Sequence, residues 1–89
     1  MDRPDEAKRV LDAFFRDGRL VSIPARQGKR QFVLLELRER CFAENRDYPE
    51  TEVNARLALV HPDVAALRRY LVDTRLMTRS NGIYRRASS

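Results

Sequence analysis

The chain has 89 residues, 43% hydrophobic and 35% charged, a composition that suits one small folded domain and argues against intrinsic disorder. Eighteen Lys and Arg against 13 Asp and Glu give a net charge of +5, which favours polyanionic partners such as nucleic acid. A single cysteine excludes an intrachain disulfide, and the longest apolar run is far too short to span a bilayer.

The first third of the chain predicts a helix and a short strand. Arg3 to Arg16 begins with a proline and two acidic residues and continues with apolar residues at helical spacing, so we expect a helix. Gly18 would end it. The branched residues of Leu20 to Ile23 predict a short strand at a sheet edge, closed by Pro24. A basic loop follows.

Three helices are predicted in the middle of the chain, each with apolar residues on one face. Their expected ranges are Arg30 to Glu44, Thr51 to Val60 and Pro62 to Thr74. A proline is tolerated in the first turn of a helix but not in its interior, so Pro62 implies a tight turn between the last two helices.

The C-terminal tail predicts a β-hairpin. Asn81-Gly82 between two short β-prone runs is the strongest local hairpin signal, with strands at Leu76 to Arg79 and Ile83 to Arg86. The order of elements is that of a winged helix-turn-helix. We therefore predict an α+β fold, a winged helix-turn-helix with an extra N-terminal helix and a small antiparallel sheet made of the wing hairpin plus the strand Leu20 to Ile23. Residues 1–89 would form one domain with an N-terminal helix (1–18), a short strand and basic loop (19–29), a three-helix core (30–74) and a wing hairpin (75–87).

Several stretches carry a resemblance to a known family. The most specific are Glu52-Val53-Asn54, His61 to Asp63 with Leu67-Arg68-Arg69, and Gly82 with Tyr84 and Arg86. From about Asp17 to Arg86 the chain resembles a bacterial family of domains of unknown function, found alone or appended to winged-helix transcription regulators. The resemblance implies a winged-helix-like fold and a regulatory role, and it brings no activity or ligand. Pro49 departs from the family pattern, because a Ser or Thr usually stands there and forms a capping box with Glu52.

The two arginines in "HPDVAALRRYL" separate on a helical wheel. Arg68 lies at the edge of the apolar stripe, where an ion pair with Glu52 or Glu36 is favoured over a phosphate contact. Arg69 lies on the far side, where it either contacts a base edge or phosphate or remains a solvated surface arginine. Asp63 would repel phosphate and is better explained as a partner of the helix dipole.

Further basic residues are candidates for contacts with nucleic acid. A basic hairpin tip suits a wing that touches the DNA backbone, although charged edge strands also prevent aggregation. The basic loop before the second helix could add phosphate contacts, although a solvated loop is the favoured interpretation there. Besides Arg69, the candidate nucleic-acid-binding residues are Arg79, Asn81, Arg85, Arg86, Lys29 and Arg30.

No enzymatic chemistry is predicted. His61 and Cys41 are the only residues of their types, too few for a closed zinc site. Cys41 falls on an apolar face, where a thiol is inert, and His61 suits a capping role. We expect no cofactor, no metal and no small-molecule substrate.

Two functions remain open from the sequence. The first is a cytoplasmic DNA-binding protein, a transcription regulator that contacts double-stranded DNA through helix 62–74 and the basic wing, with a homodimer as a further expectation. The second is a protein-interaction or dimerisation module on the same fold, without DNA affinity of its own. RNA binding stays open, although the aromatic platform of single-strand readers is missing. No membrane partner is expected.

Overall fold

The computed structural model describes residues 3–87, and it confirms the α+β class. Four helices and five short strands form this part of the chain. The helices are α1 (Arg3–Phe14), α2 (Gln27–Cys41), α3 (Glu50–Ala58) and α4 (Val64–Asp73). The strands are β1 (Phe15–Arg16), β2 (Arg19–Leu20), β3 (Asp47–Pro49), β4 (Met77–Ser80) and β5 (Ile83–Arg86).

A single core collects buried side chains from all four helices and from strands of both sheets. The apolar faces expected from helical spacing lie in it, because α2 buries Leu34 and Leu37 and α4 buries Leu67 and Leu71. The burial of these apolar side chains away from water is the main force that assembles the helices and strands. None of the helices described is both long enough and apolar enough to cross a membrane.

The N-terminal elements differ from the sequence prediction. The first helix ends at Phe14, and the chain turns at once into a two-stranded hairpin in which Phe15 pairs with Leu20. Asp17 and Gly18 both have positive φ, 54° and 79°, as a two-residue hairpin turn requires. Gly18 therefore belongs to a turn between strands. The predicted strand Leu20 to Ile23 is wrong beyond its first residue.

The second sheet has three antiparallel strands in the order β3-β5-β4. Its third strand is Asp47–Pro49, from a segment predicted as a break, and Leu20 to Ile23 does not join it. An edge strand tolerates Pro49 because it need not donate to the ladder. The predicted hairpin β4–β5 is confirmed, with positive φ at both Asn81 and Gly82.

The starts of α2 and α4 determine the positions of two basic residues and of a capping aspartate. The second helix begins at Gln27, so Lys29 and Arg30 lie in its first turn and the predicted loop is shorter than expected. The fourth begins after Asp63, whose side chain accepts the Ala66 N–H at 3.2 Å as an N-cap. Pro62 stays outside that helix.

The start of α3 has no side-chain cap from the residue that precedes it. Pro49 occupies the N-cap position and forms no side-chain cap bond, as expected for a residue with no acceptor. The first helical N–H, that of Glu50, instead donates to the carbonyl of Gly82 at 2.9 Å. The turn of the hairpin β4–β5 is thereby joined to the start of α3.

Candidate nucleic-acid interface

A cleft of about 290 Å³ lies between the exposed side of α4 and the hairpin β4–β5. We call it the α4 cleft. It combines positive and negative side chains with a few apolar ones. The lining residues are Glu50, Ala65, Arg68, Arg69, Val72, Asp73, Arg79 and Tyr84.

Arg69 is the exposed arginine that α4 contributes to this cleft. It lies away from the core face of the helix, as the helical wheel predicts. Within residues 3–87, no carboxylate oxygen lies within 4.0 Å of its guanidinium, and its closest aromatic neighbour is Tyr70, at 5.9 Å from the ring centre. Its hydrogen-bond donors are therefore available to a ligand.

Arg79 reaches the cleft from the hairpin. It stands directly opposite Tyr84 in the β4–β5 ladder, so the two side chains project from the same face of the sheet. Because Tyr84 is buried, that face is the one turned toward the helices. The structure thus brings Arg79 and Arg69 to one cleft from two different elements.

Glu50 occupies the centre of this arrangement. Its Oε1 lies 3.5 Å from Arg79 Nε and accepts the Tyr84 hydroxyl at 3.3 Å, while its Oε2 lies 3.9 Å from Arg68 Nη1. Burial raises the pKa of Tyr84, and the nearby Glu50 charge raises it further. The phenol therefore remains a hydrogen-bond donor across the neutral range.

Arg68 holds neighbouring elements together at the core edge, but with other partners than the sequence suggested. It donates a short hydrogen bond to Asn54 and lies within ion-pair distance of Glu50. The expected partners Glu52 and Glu36 bind other arginines. Its partners come from α3, since the first turns of that helix face α4 across the core.

The two basic residues at the start of α2 lie in different surroundings. The Arg30 guanidinium stacks over the Tyr70 ring of α4, 4.3 Å from its centre, and donates to the Ala25 carbonyl at 3.1 Å. Lys29 is exposed and lines a second cleft, between α1 and α2, together with Glu6 and other residues. Only Arg30 is brought close to α4.

The other hairpin candidates lie outside the α4 cleft. Arg86 is directed toward α2, where it donates to the Phe42 carbonyl at 2.8 Å and pairs with Glu39 at 2.9 Å. Arg86 is the main cause that lowers the pKa of Glu39. Arg85 projects from the other face and pairs with Asp47 at 2.7 Å. Asn81 is exposed at the tip.

A second glutamate of α3, Glu52, binds two arginines at short distances. Arg46 contacts it with both terminal nitrogens, at 2.6 and 3.1 Å, and Arg56 Nε donates at 2.8 Å. The Arg46 guanidinium also stacks on Tyr48, 4.0 Å from the ring centre. These hydrogen bonds, that of Arg46 first, lower the pKa of Glu52 to about 2. We call these four residues the Glu52 clamp.

Sequence reasoning missed Glu50 and Tyr84 as parts of the cleft. Tyr84 was noted only as part of a family pattern. Glu50 follows Pro49 in the first turn of α3, where an acidic residue is explained by the helix dipole alone. The sequence signal that could have drawn attention to it is the excess of acidic residues in that turn, where Glu50 and Glu52 compete for nearby arginines.

The contacts of His61 and the burial of Cys41 are those of structural residues. His61 Nδ1 accepts the backbone N–H of Asp63 at 2.9 Å, which is the expected capping type of role. Cys41 is buried, and burial raises the pKa of its thiol, so the thiolate is disfavoured. Within residues 3–87, no three His, Cys, Asp or Glu side chains are grouped to hold a metal ion.

Comparison with known proteins identifies a family and nothing more specific. No curated protein matches the chain, and no solved structure does. A family model described as "Uncharacterized protein conserved in bacteria (DUF2087)" matches residues 19–86, from the start of β2 to the end of β5. The resemblance seen in the sequence is confirmed to that extent, and its link to winged-helix regulators stays a prediction. The chain belongs to this uncharacterised bacterial family, DUF2087.

Proposed function

We propose that the chain is a winged-helix protein that binds double-stranded DNA through α4 and the hairpin β4–β5. The order helix, strand, helix, helix and hairpin supports the winged helix-turn-helix assignment. The pairing of β3 with the last strand supports it further, since it closes a small sheet beside the helices. In such folds the last helix of the pair enters the major groove and the hairpin lies next to it.

The observation that carries the proposal is the convergence of Arg69 and Arg79 on the α4 cleft. One arginine comes from the helix and the other from the hairpin, the two elements that a winged helix applies to DNA. The small side chain of Ala65 on the same wall would let a phosphate strand approach the helix closely. Arginine binds phosphate oxygens through its planar fork of donors.

The charges near α4 favour phosphate contacts over reading of bases. Asp63 caps the start of the helix with its carboxylate, and Asp73 lies at its other end. Carboxylates at both ends limit how closely the whole helix can follow a groove, because each repels phosphate. The proposal is therefore DNA binding that rests mainly on the backbone and depends strongly on salt.

The test is a fluorescence-anisotropy titration of unrelated labelled duplexes at two salt concentrations, with the wild type and Arg69→Ala. We expect binding that weakens steeply between about 50 and 200 mM salt. Arg69→Ala should weaken affinity about five- to tenfold and reduce the salt slope by about one. Arg16→Ala removes the same charge from the exposed strand β1 and should change affinity by less than about twofold.

A wild-type chain that leaves every duplex unbound at the lower salt concentration would overturn the proposal. Equal losses in Arg69→Ala and Arg16→Ala would retain DNA binding but remove α4 from the interface. The purified proteins should first give the same melting temperature, so that a change in affinity is not a change in folding.

A second candidate function, self-association, is favoured by one exposed apolar pair. Leu59 is 73% exposed and Val21 57%. The two come from adjoining segments, because the Leu20 N–H donates to the Val60 carbonyl at 2.8 Å. Contiguous exposed apolar patches mark contact surfaces, and the adjoining segments favour such a patch here. Light scattering tests it: a dimer that Leu59→Ser disrupts and Leu35→Ser leaves intact supports this function, and a wild-type monomer at high concentration removes it.

A further inference from the structure

We propose that the α4 cleft is a seat for one phosphate group and that Glu50 is the internal anion that occupies this seat in the unliganded protein. The inference rests on the proposed function where the phosphate belongs to DNA. The same chemistry would also accept a free phosphate, and the experiment below separates these two sources. The contacts of Glu50, the charges of the lining and the size of the cleft support this role.

The contacts of Glu50 are those of a carboxylate held loosely by phosphate-binding groups. Two guanidiniums and a phenol hydroxyl surround it, at 3.5 Å for Arg79, 3.9 Å for Arg68 and 3.3 Å for Tyr84. Charge-assisted hydrogen bonds are normally about 2.7–2.9 Å long. Glu50 therefore satisfies these donors incompletely. Its side chain is 36% exposed, so it can turn outward into solvent.

Glu52 shows that the same surroundings can hold a carboxylate tightly. It lies two residues further along α3 and is also placed between two arginines, but its contacts with Arg46 and Arg56 are 2.6 and 2.8 Å long. The long contacts of Glu50 therefore do not follow from its residue type or from a lack of neighbouring arginines. A ligand with better-placed oxygens would displace Glu50 more easily than Glu52.

The charges of the cleft match one phosphodiester. Its lining carries three guanidiniums and two carboxylates, which leaves one positive charge. Arg69 contributes donors that no carboxylate holds within 4.0 Å in the described part of the chain. A phosphate bearing a single negative charge neutralises this excess, and its oxygens suit the guanidinium forks.

The size and polarity of the cleft favour a small anion. Its volume is about 290 Å³, at the lower limit of the roughly 300–1,000 Å³ typical of pockets for larger organic ligands. Five of the eight lining residues are charged, Tyr84 adds a hydroxyl, and Ala65 and Val72 supply an apolar wall. A phosphate group would take the place of the Glu50 oxygens at Arg79 and Arg68, gain Arg69, and keep the Tyr84 hydroxyl as a donor.

The substitution Glu50→Gln should increase affinity for phosphate, a result that a loss of folding would not produce. Glu50→Gln removes the competing charge and keeps the size of the side chain. We expect it to raise affinity for duplex DNA about fivefold and to increase the salt slope by about one. Glu36→Gln is the matched control, because Glu36 pairs with Arg40 at 2.6 Å outside the cleft. The same loss of charge there should raise affinity by less than about twofold. Adding Arg79→Ala to Glu50→Gln should abolish the gain.

A second arm of the experiment measures phosphate binding to the cleft in the absence of DNA. The Arg79 Nε–Hε signal is followed by NMR in the wild type, Glu50→Gln and Glu36→Gln during titration with inorganic phosphate. If no duplex binds to any variant, the DNA proposal fails. A tighter phosphate response of Arg79 in Glu50→Gln would then still support the seat, with free phosphate as its ligand. Failure of Glu50→Gln to exceed Glu36→Gln in both arms overturns the inference.

Discussion

The Glu52 clamp and the α4 cleft both begin in the first turn of α3, and each places a glutamate between two arginines next to a tyrosine. In the clamp, the contacts of Glu52 with Arg46 and Arg56 are 2.6, 3.1 and 2.8 Å long, and Arg46 is stacked on a buried ring, Tyr48. The pKa of Glu52 is lowered to about 2 as a consequence. The clamp is a completed interaction that joins β3 and the segment before it to α3.

The cleft has the same residue types and a different geometry. Glu50 lies 3.5 Å from Arg79 and 3.9 Å from Arg68, and Arg69 adds donors that the carboxylate does not reach within 4.0 Å. Residue type alone therefore does not separate a structural ion pair from the cleft that we propose as a binding site. The distances do, because short contacts leave few donors for a ligand. The predictions below separate the two regions by their effects on stability.

The largest expected effect comes from removing the ring beneath the clamp. Tyr48 is 1% exposed and donates its hydroxyl to the Glu44 carbonyl at 2.7 Å. Tyr48→Ala should lower the free energy of unfolding by about 3–5 kcal/mol, as for other buried aromatic side chains. Tyr48→Phe should cost about 1 kcal/mol for the lost hydrogen bond. Urea denaturation followed by circular dichroism measures both.

Tyr84→Phe is the matched change in the cleft. Its hydroxyl donates to Glu50 at 3.3 Å, so we expect a loss below about 0.5 kcal/mol. A loss as large as that of Tyr48→Phe would contradict the distinction between a tight clamp and a loose cleft.

A smaller effect concerns acid stability. The pKa of Glu52 is about 2 in the folded chain against an ordinary value of 4.5, so the folded state binds fewer protons between these values. The free energy of unfolding should therefore fall as the pH is lowered from about 4.5 toward 2. In Glu52→Gln this dependence should become shallower, although Glu39, whose pKa is also lowered, preserves part of it.

Denaturation at a series of pH values measures this slope in the wild type and in Glu52→Gln. If Glu52→Gln keeps the full wild-type dependence on pH, the clamp is not the principal source of the effect.

The smallest effect on DNA affinity is expected at the start of α4. Asp63 accepts the Ala66 N–H, so Asp63→Ala should cost about 1 kcal/mol and Asp63→Asn less than about 0.5 kcal/mol. If α4 approaches phosphate, both variants should bind duplex DNA slightly more tightly, by about twofold. Thermal melts and anisotropy titrations on the same samples check the two effects together, and weaker binding by Asp63→Asn would argue against α4 as the DNA-facing helix.

Local patterns in the sequence predicted much of the fold. Helical spacing identified the core faces of α2 and α4, and Asn81-Gly82 identified the hairpin because a turn with two positive φ values strongly favours this pair. Strand alternation placed Arg79 on the same face as Met77, and the ladder confirms it. The helical wheel also separated a bonded Arg68 from an exposed residue beside it.

The sequence could not predict what depends on distant partners. The strand Asp47–Pro49 has only three residues, too few for alternation to be recognised in the sequence, and its pairing with β5 defines it. Asp17-Gly18 is also a hairpin signal, but strands of two residues on either side gave no pattern to recognise. The partners of Glu50 come from α4, β4 and β5, so no local rule could assemble the cleft.

The bond between Glu50 N–H and the Gly82 carbonyl has a consequence for how the hairpin can vary. A residue about thirty positions further along the chain caps α3, in place of the side chain that Pro49 lacks. A hairpin of another length would move this acceptor away and leave the first N–H of α3 unpaired. Loop grafting or insertion at Asn81-Gly82 should therefore destabilise the start of α3 as well as the hairpin. Hairpin length and the identity of the residue before α3 should be exchanged together when the domain is engineered.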